Sequence, residues 1–120
     1  MTAQWWERAR AAETERAREL LRALVVELRR RGEQPGPLRA RAGSARYRTD
    51  VVGWYLRADG SLGVGEGAEY YVLDVAPGLR ARFRGVHLDP SEPPLQVGRG
   101  ARDGESVELA ELVRRRVSQP

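Results

Sequence analysis

The chain has no cysteine, lysine, asparagine or isoleucine, and only one histidine, one phenylalanine and one methionine in 120 residues. Without cysteine there is no disulfide framework, no thiolate metal site and no cysteine nucleophile. A fold that needs no such staples suits a reducing compartment, so a cytoplasmic location is expected. A single histidine offers no metal-ligand spacing, and neither a metal nor another cofactor is expected. The first helix is charged from Glu7 onward, unlike a secretory leader. No apolar run approaches the roughly 20 residues of a membrane span, so no membrane partner is expected.

All 21 basic residues are therefore arginine, against 17 acidic ones, for a net charge of +4. Lys, Asn and Ile share AT-rich codons, while Arg, Ala, Gly and Pro have GC-rich ones. The composition points to a bacterium with a GC-rich genome. A high pI usually hints at nucleic acid or anionic surfaces. Arginine titrates well above lysine, however, so a lysine-free chain reads as basic partly for that reason.

What is present reads as one globular α+β domain. Hydrophobic residues make up 41% and charged residues 32%, a balance unlike that of disordered chains. Residues 3–31 read as a helix, because Trp6, Ala17, Leu20, Leu21, Leu24, Val25 and Leu28 recur at spacings of three and four. Thr2 is placed to cap it, and Gly32, Pro35 and Pro37 to end it. Residues 32–45, rich in Gly, Pro, Ala and Arg, read as a linker. Residues 46–88 alternate with period two and read as four strands, with turns at Asp59-Gly60, Glu66-Gly67-Ala68 and Pro77-Gly78. Residues 90–104 hold three prolines and three glycines and are expected to be irregular, with 95–97 able to add an edge strand. Asp103 is placed to cap a helix over 105–117. The expected architecture is a long N-terminal helix packed on a four-stranded antiparallel meander, with a short C-terminal helix. One sheet face is expected to be covered and the other free.

Few residues point to chemistry. His87 stands alone, and Asp89 is placed to hold its ring. Asp74 lies mid-strand, where an inward carboxylate needs a partner such as arginine. A pocket containing Asp74 or His87, between helix and sheet, would mark a small-ligand protein. Gly63, Gly65 and Gly67 resemble a phosphate loop, but such loops lie between a strand and a helix, and these lie in a hairpin. Arg80, Arg82 and Arg84 alternate along the fourth expected strand, as Arg46 and Arg48 do before the first. Together they form a candidate anion or nucleic-acid face. Arg29 to Arg31 and Arg114 to Arg116 end helices, where cations complement the dipole.

A helix of about 29 residues is roughly 43 Å long. A strand of six or seven residues spans only about 20 Å. The meander is too small to cover the helix, and the uncovered end carries Trp5, Trp6, Ala9 and Ala12. These four residues are the candidate interface. The adjacent indoles lie about 100° apart on a helix, so they cannot share one small core patch: one covers the sheet while the other stands partly exposed as an interface anchor, or both pack over the sheet edge.

The order of long helix, antiparallel meander and C-terminal helix resembles the YbaB-type nucleoid-associated proteins. Gly85-Val86-His87-Leu88-Asp89-Pro90 is similar to their strand-to-proline exit. The resemblance implies a dimer that binds DNA. The Gly-rich hairpins and the fourth strand depart from that pattern.

These readings lead to a non-enzymatic binding or assembly module that self-associates as a homodimer. The alternatives are a nucleic-acid binder using the arginine face and a small-ligand protein with a cleft.

Overall fold

The structure, a computed structural model, describes residues 2–76, 85–97 and 107–119. Helix α1 (Thr2–Arg30) is followed by strands β1 (Gly36–Ala42), β2 (Ala45–Tyr55), β3 (Leu62–Gly65) and β4 (Tyr70–Val72). These four form one antiparallel sheet in the order β1-β2-β3-β4. Strands β5 (Gln96–Val97) and β6 (Val107–Glu108) pair separately, and helix α2 (Leu109–Ser118) closes the chain. The α+β class, the four-stranded antiparallel meander and the two helices match the sequence reading. None of the described helices is long and apolar enough to cross a membrane.

Which residues make the strands differs from expectation. The expected linker 32–45 contains strand β1, whose Leu38, Ala40 and Ala42 are buried while Arg39 stays exposed. The expected third strand narrows to Tyr70–Val72. Most of the expected fourth strand, with its turn at Pro77-Gly78, lies outside the described residues. Its end, at Val86, makes only an isolated bridge to Thr49. Residues 96–97 form a strand, but pair with 107–108 rather than with the main sheet. That pairing makes Val107 and Glu108 extended, so α2 begins at Leu109 rather than at 105. Asp103 lies outside the described residues, and Glu108 stands at the N-cap of α2.

The core sits under the second half of α1. Ala17, Leu21, Leu24, Val25 and Leu28 pack against Trp54, Leu56, Leu62, Val64 and Tyr70 from the sheet, and against Val97, Leu109 and Leu112. Trp54 is fixed at its rim: its indole N–H donates to the Glu33 carbonyl at 2.9 Å, and the Arg29 guanidinium lies 5.2 Å from its ring centroid. Gly53 and Gly65 are paired where β2 meets β3. A Cβ at Gly53 would stand 2.0 Å from the Val64 carbonyl oxygen, so only glycine fits there.

The other sheet face is not free. Leu38, Val51 and Leu73 fill it, with Tyr71 and Leu88 against them, and Ala40 with Val86 continues the apolar layer. The sheet curls to make this possible. Arg41 N–H donates to the Leu73 carbonyl at 2.7 Å, and Val75 N–H to the Arg41 carbonyl at 2.8 Å. The chain after β4 thus closes the outer edge of β1. Val86 N–H donates to the Arg48 carbonyl at 2.7 Å, which covers the opposite edge of β2. Capped edges of this kind do not offer themselves for strand pairing. The register slips near Leu38, where the Thr49 hydroxyl donates to the Leu38 carbonyl at 2.6 Å in place of a ladder bond.

Candidate functional site

Antiparallel register sets side chains of directly paired residues on the same face. In the β1–β2 hairpin, Arg39 pairs with Arg48 and Arg41 with Arg46. Alternation along each strand puts Arg39 with Arg41, and Arg46 with Arg48. Four guanidinium groups therefore share one face. Ala40 and Tyr47 occupy the other, with Val86, Val75 and Leu88 against them, and Ala42 is buried on that face too. Sequence reasoning found Arg46 and Arg48 but missed Arg39 and Arg41, which lay in the expected linker. Arg80, Arg82 and Arg84 lie outside the described residues.

Only one of these four cations is neutralised within the described residues. Arg41 holds Asp74 through two bonds, Nε to Oδ1 at 2.7 Å and Nη2 to Oδ2 at 3.1 Å, and donates from Nη1 to the Asp59 carbonyl at 2.9 Å. The Asp74 carboxylate raises the guanidinium pKa of Arg41 further. Asp74 thus has the arginine partner expected of it, but it is exposed rather than facing inward.

A cleft of 910 Å³ opens beside this face. Arg39 and Arg46 line it from the hairpin, Tyr55 from the end of β2, Arg57 and Gly60 from the β2–β3 loop, and Arg116 from α2. Tyr55 is pinned because its hydroxyl accepts from Arg39 N–H at 3.0 Å. Arg116 is also fixed: its Nε donates to the Tyr55 carbonyl at 2.8 Å, and its Nη groups hold the Glu33 carboxylate. That ion pair pulls the Glu33 carboxyl below its ordinary pKa. Arg57 Nε lies 3.8 Å from Asp59 Oδ2. Asp59 is held by Ser61, whose N–H and hydroxyl both donate to Oδ1, at 2.9 and 2.6 Å. Gly60 has φ +80°, which the turn after Asp59 requires and which glycine tolerates.

Neither residue expected in a ligand pocket lines this cleft. Asp74 is committed to Arg41. His87 stands on the segment after Gly85, and its Nε2 contacts Asp89 Oδ1 at 2.9 Å, the partner expected. Its Nδ1 contacts Asp50 Oδ2, whose other oxygen accepts from Leu88 N–H at 3.1 Å. Two carboxylates hold the ring, with Asp50 the stronger, and raise the imidazole pKa. Asp50 is lowered in return, first by His87 and then by the Leu88 N–H. The trio ties residues 87–89 to β2. With both ring nitrogens engaged, none is left to act as a base. Among the described residues no cluster of His, Asp and Glu is arranged to hold a metal ion.

The first half of α1 stands apart. Both indoles are exposed, Trp5 at 61% and Trp6 at 63%, and their ring centroids lie 5.8 Å apart. Neither packs over the sheet or its edge, and both stand on the uncovered end of the helix. Ala9 and Ala12 are exposed as well, and from Gln4 onward the first buried residue is Ala17.

No family model matches the chain, no curated protein matches it in sequence, and no solved structure matches it in fold. The similarity to YbaB-type proteins therefore gains no support from these comparisons.

Proposed function

We propose that the chain is an assembly module that forms a homodimer through the first half of α1, each copy antiparallel to the other. The observation that carries this reading is a helix segment from Gln4 to Arg16 with no buried side chain. Isolated, such a stretch has nothing to stabilise it but propensity. Trp5, Ala9, Ala12 and Arg16 fall on one stripe at spacings of four, three and four. Small residues at its centre permit close approach, and the indoles supply contact area.

The charge pattern favours a second copy over another partner. Residues 7–16 read Glu-Arg-Ala-Arg-Ala-Ala-Glu-Thr-Glu-Arg. Reversed about the point between Ala11 and Ala12, Glu7 falls level with Arg16, Arg8 with Glu15 and Arg10 with Glu13, and of these Arg8 and Glu15 flank the stripe on the same side. Every charge finds its opposite at the same height. A two-fold contact repeats each such pair twice. Flanking charges of this kind set partner and orientation in helix pairs.

The reading is non-enzymatic, because the only histidine has both nitrogens occupied and the chain has no cysteine. Sedimentation equilibrium over a range of concentrations tests the dimer. A strictly monomeric mass at high micromolar concentration rejects it. Arg8→Glu should dissociate the dimer by setting like charges at both ends, and adding Glu15→Arg should restore it. Restoration would place the interface on this segment and fix its direction.

A further inference from the structure

We propose that the cleft beside the β1–β2 hairpin binds a small phosphate-bearing molecule with a planar ring, of nucleoside monophosphate size, in which Arg39 and Arg46 take the phosphate and Tyr55 packs against the ring. The site is separate from the α1 surface and does not depend on dimer formation. Its volume, 910 Å³, suits a small-molecule pocket.

The arginines give the first argument. Like charges directly opposed across two strands destabilise the pair. Arg39 faces Arg48, and Arg46 faces Arg41. Asp74 relieves Arg41, but among the described residues no carboxylate pairs with Arg39 or Arg46. Arg48 is unpaired among the described residues as well, but of the three cations left with unspent charge only Arg39 and Arg46 line the cleft. A phosphate dianion accepts several guanidinium N–H bonds in fork geometry, and removes the repulsion at the same time.

The walls give the second argument. The Tyr55 ring is held by its hydroxyl, so it is ordered before a ligand arrives. Gly60 puts no side chain between Arg46 and Tyr55. A Cβ there would stand 3.5 Å from Arg46 Nη1 and 4.0 Å from the Tyr55 ring. Arginine charge and aromatic surface therefore meet at one bare wall.

The acids decide between a small molecule and a polyanion. Glu33 and Asp59 also line the cleft, spending the charge of Arg116 and Arg57. Carboxylates therefore flank the positive spot inside the same cleft. A nucleic-acid strand needs a continuous basic track.

Calorimetric titration with AMP, inorganic phosphate and adenosine tests the assignment, with a short single-stranded oligonucleotide as a fourth probe. AMP should bind, and phosphate and adenosine should each bind at least about tenfold more weakly, a difference of roughly 1.4 kcal/mol. Arg39→Gln and Arg46→Gln should each weaken AMP by about tenfold or more, while Arg48→Gln, on the same face but outside the cleft, should leave it unchanged. Removing Arg39 or Arg46 relieves a like-charge pair, so both variants should keep the wild-type circular dichroism and melt. No AMP binding at millimolar concentration would overturn the proposal. So would equal losses in Arg48→Gln, or phosphate binding as tightly as AMP. Oligonucleotide binding tighter than AMP and not displaced by it would replace the small ligand with a nucleic acid.

Discussion

Arg39 stands directly opposite Arg48 across the β1–β2 pair, on a face shared with Arg41 and Arg46. The arrangement opposes stability locally, and the opposite face and both edges of the hairpin compensate for it. Ala40 and Ala42 are buried on that opposite face. The Leu73–Val75 and Val86 segments hydrogen-bond the edges. The hairpin is held by what lies behind and beside it, which leaves its basic face free to differ from what folding alone would choose.

The same relationship gives a stability prediction. Arg48→Glu should place a carboxylate opposite Arg39 and raise stability by about 0.2–1 kcal/mol, the range for an opposite-charge cross-strand pair. Arg41→Glu should do the reverse, because it removes the bidentate bond to Asp74 and sets two carboxylates against each other. Urea melts at low and high salt would check both. Equal effects at both salt concentrations would show that charge is not the cause.

Leu24 tests the core. It is 1% exposed at the centre of the α1 stripe and packs in the main cluster. Leu24→Ala should destabilise by about 2–5 kcal/mol through lost burial and the cavity left behind. Val26, two residues on and 66% exposed, is the control. Val26→Ala should stay within about 0.5 kcal/mol. A thermal melt unaffected by Leu24→Ala would mean that α1 does not dock as described.

His87 offers a clean titration because it is the only histidine. Its pKa is raised above 6.5, first by Asp50 and then by Asp89, while Asp50 is lowered below 3.8. A raised histidine contributes stability that is complete below its unfolded pKa and is lost as pH rises through the folded one. A lowered aspartate contributes stability that is lost as pH falls through its folded pKa. The trio should therefore hold residues 87–89 best between those limits and loosen above the folded histidine pKa. The imidazole proton resonance should titrate above 6.5, and Asp50→Asn should lower it more than Asp89→Asn. A midpoint at or below 6.5 in the wild-type chain would mean that the carboxylates do not hold the ring.

Much of the fold was legible because its signals are periodic. The α1 stripe follows helical spacing over three turns, and Leu62 and Val64 alternate cleanly into the helix-facing core. Strand β1 was hidden because Gly-Pro-Leu-Arg-Ala-Arg-Ala contains weak strand formers, and its buried set is mostly alanine. Missing that strand also hid half of the arginine face, since Arg39 and Arg41 belong to it. The second core cluster was invisible for another reason. It depends on Leu73 returning to β1, and strand alternation says which face a residue takes but not what closes over it. Pairings far apart in sequence were equally out of reach: Asp50 with His87 spans 37 residues, and Glu33 with Arg116 spans 83.

The pairing of Glu33 with Arg116 distinguishes the arginines at the end of α2. Arg114, Arg115 and Arg116 form one run, and helix-dipole reasoning treats them alike. The structure separates them. Arg114 and Arg115 pair with Glu111 on their own helix, with side chains 73% and 62% exposed. Arg116 is only 11% exposed, grips Glu33 and donates to the Tyr55 carbonyl, so it binds α2 to the sheet. Arg31 completes the clamp by donating to the carbonyls of Val117 and Gln119 at 2.6 and 2.8 Å. Arg116→Ala should cost about 1–3 kcal/mol, because it leaves a carboxylate and a carbonyl without their charged donor. Arg115→Ala should cost no more than about 0.5 kcal/mol, the worth of an exposed helix pair. The pH dependence gives a second handle. Glu33 is lowered by Arg116, so its contribution should be lost as pH falls through its folded pKa. Denaturant melts from neutral to acid pH should show wild type losing stability over that range more steeply than Arg116→Ala. Identical slopes, or equal losses for Arg115→Ala and Arg116→Ala, would mean that the run acts only through the helix end and not as a tie to the sheet.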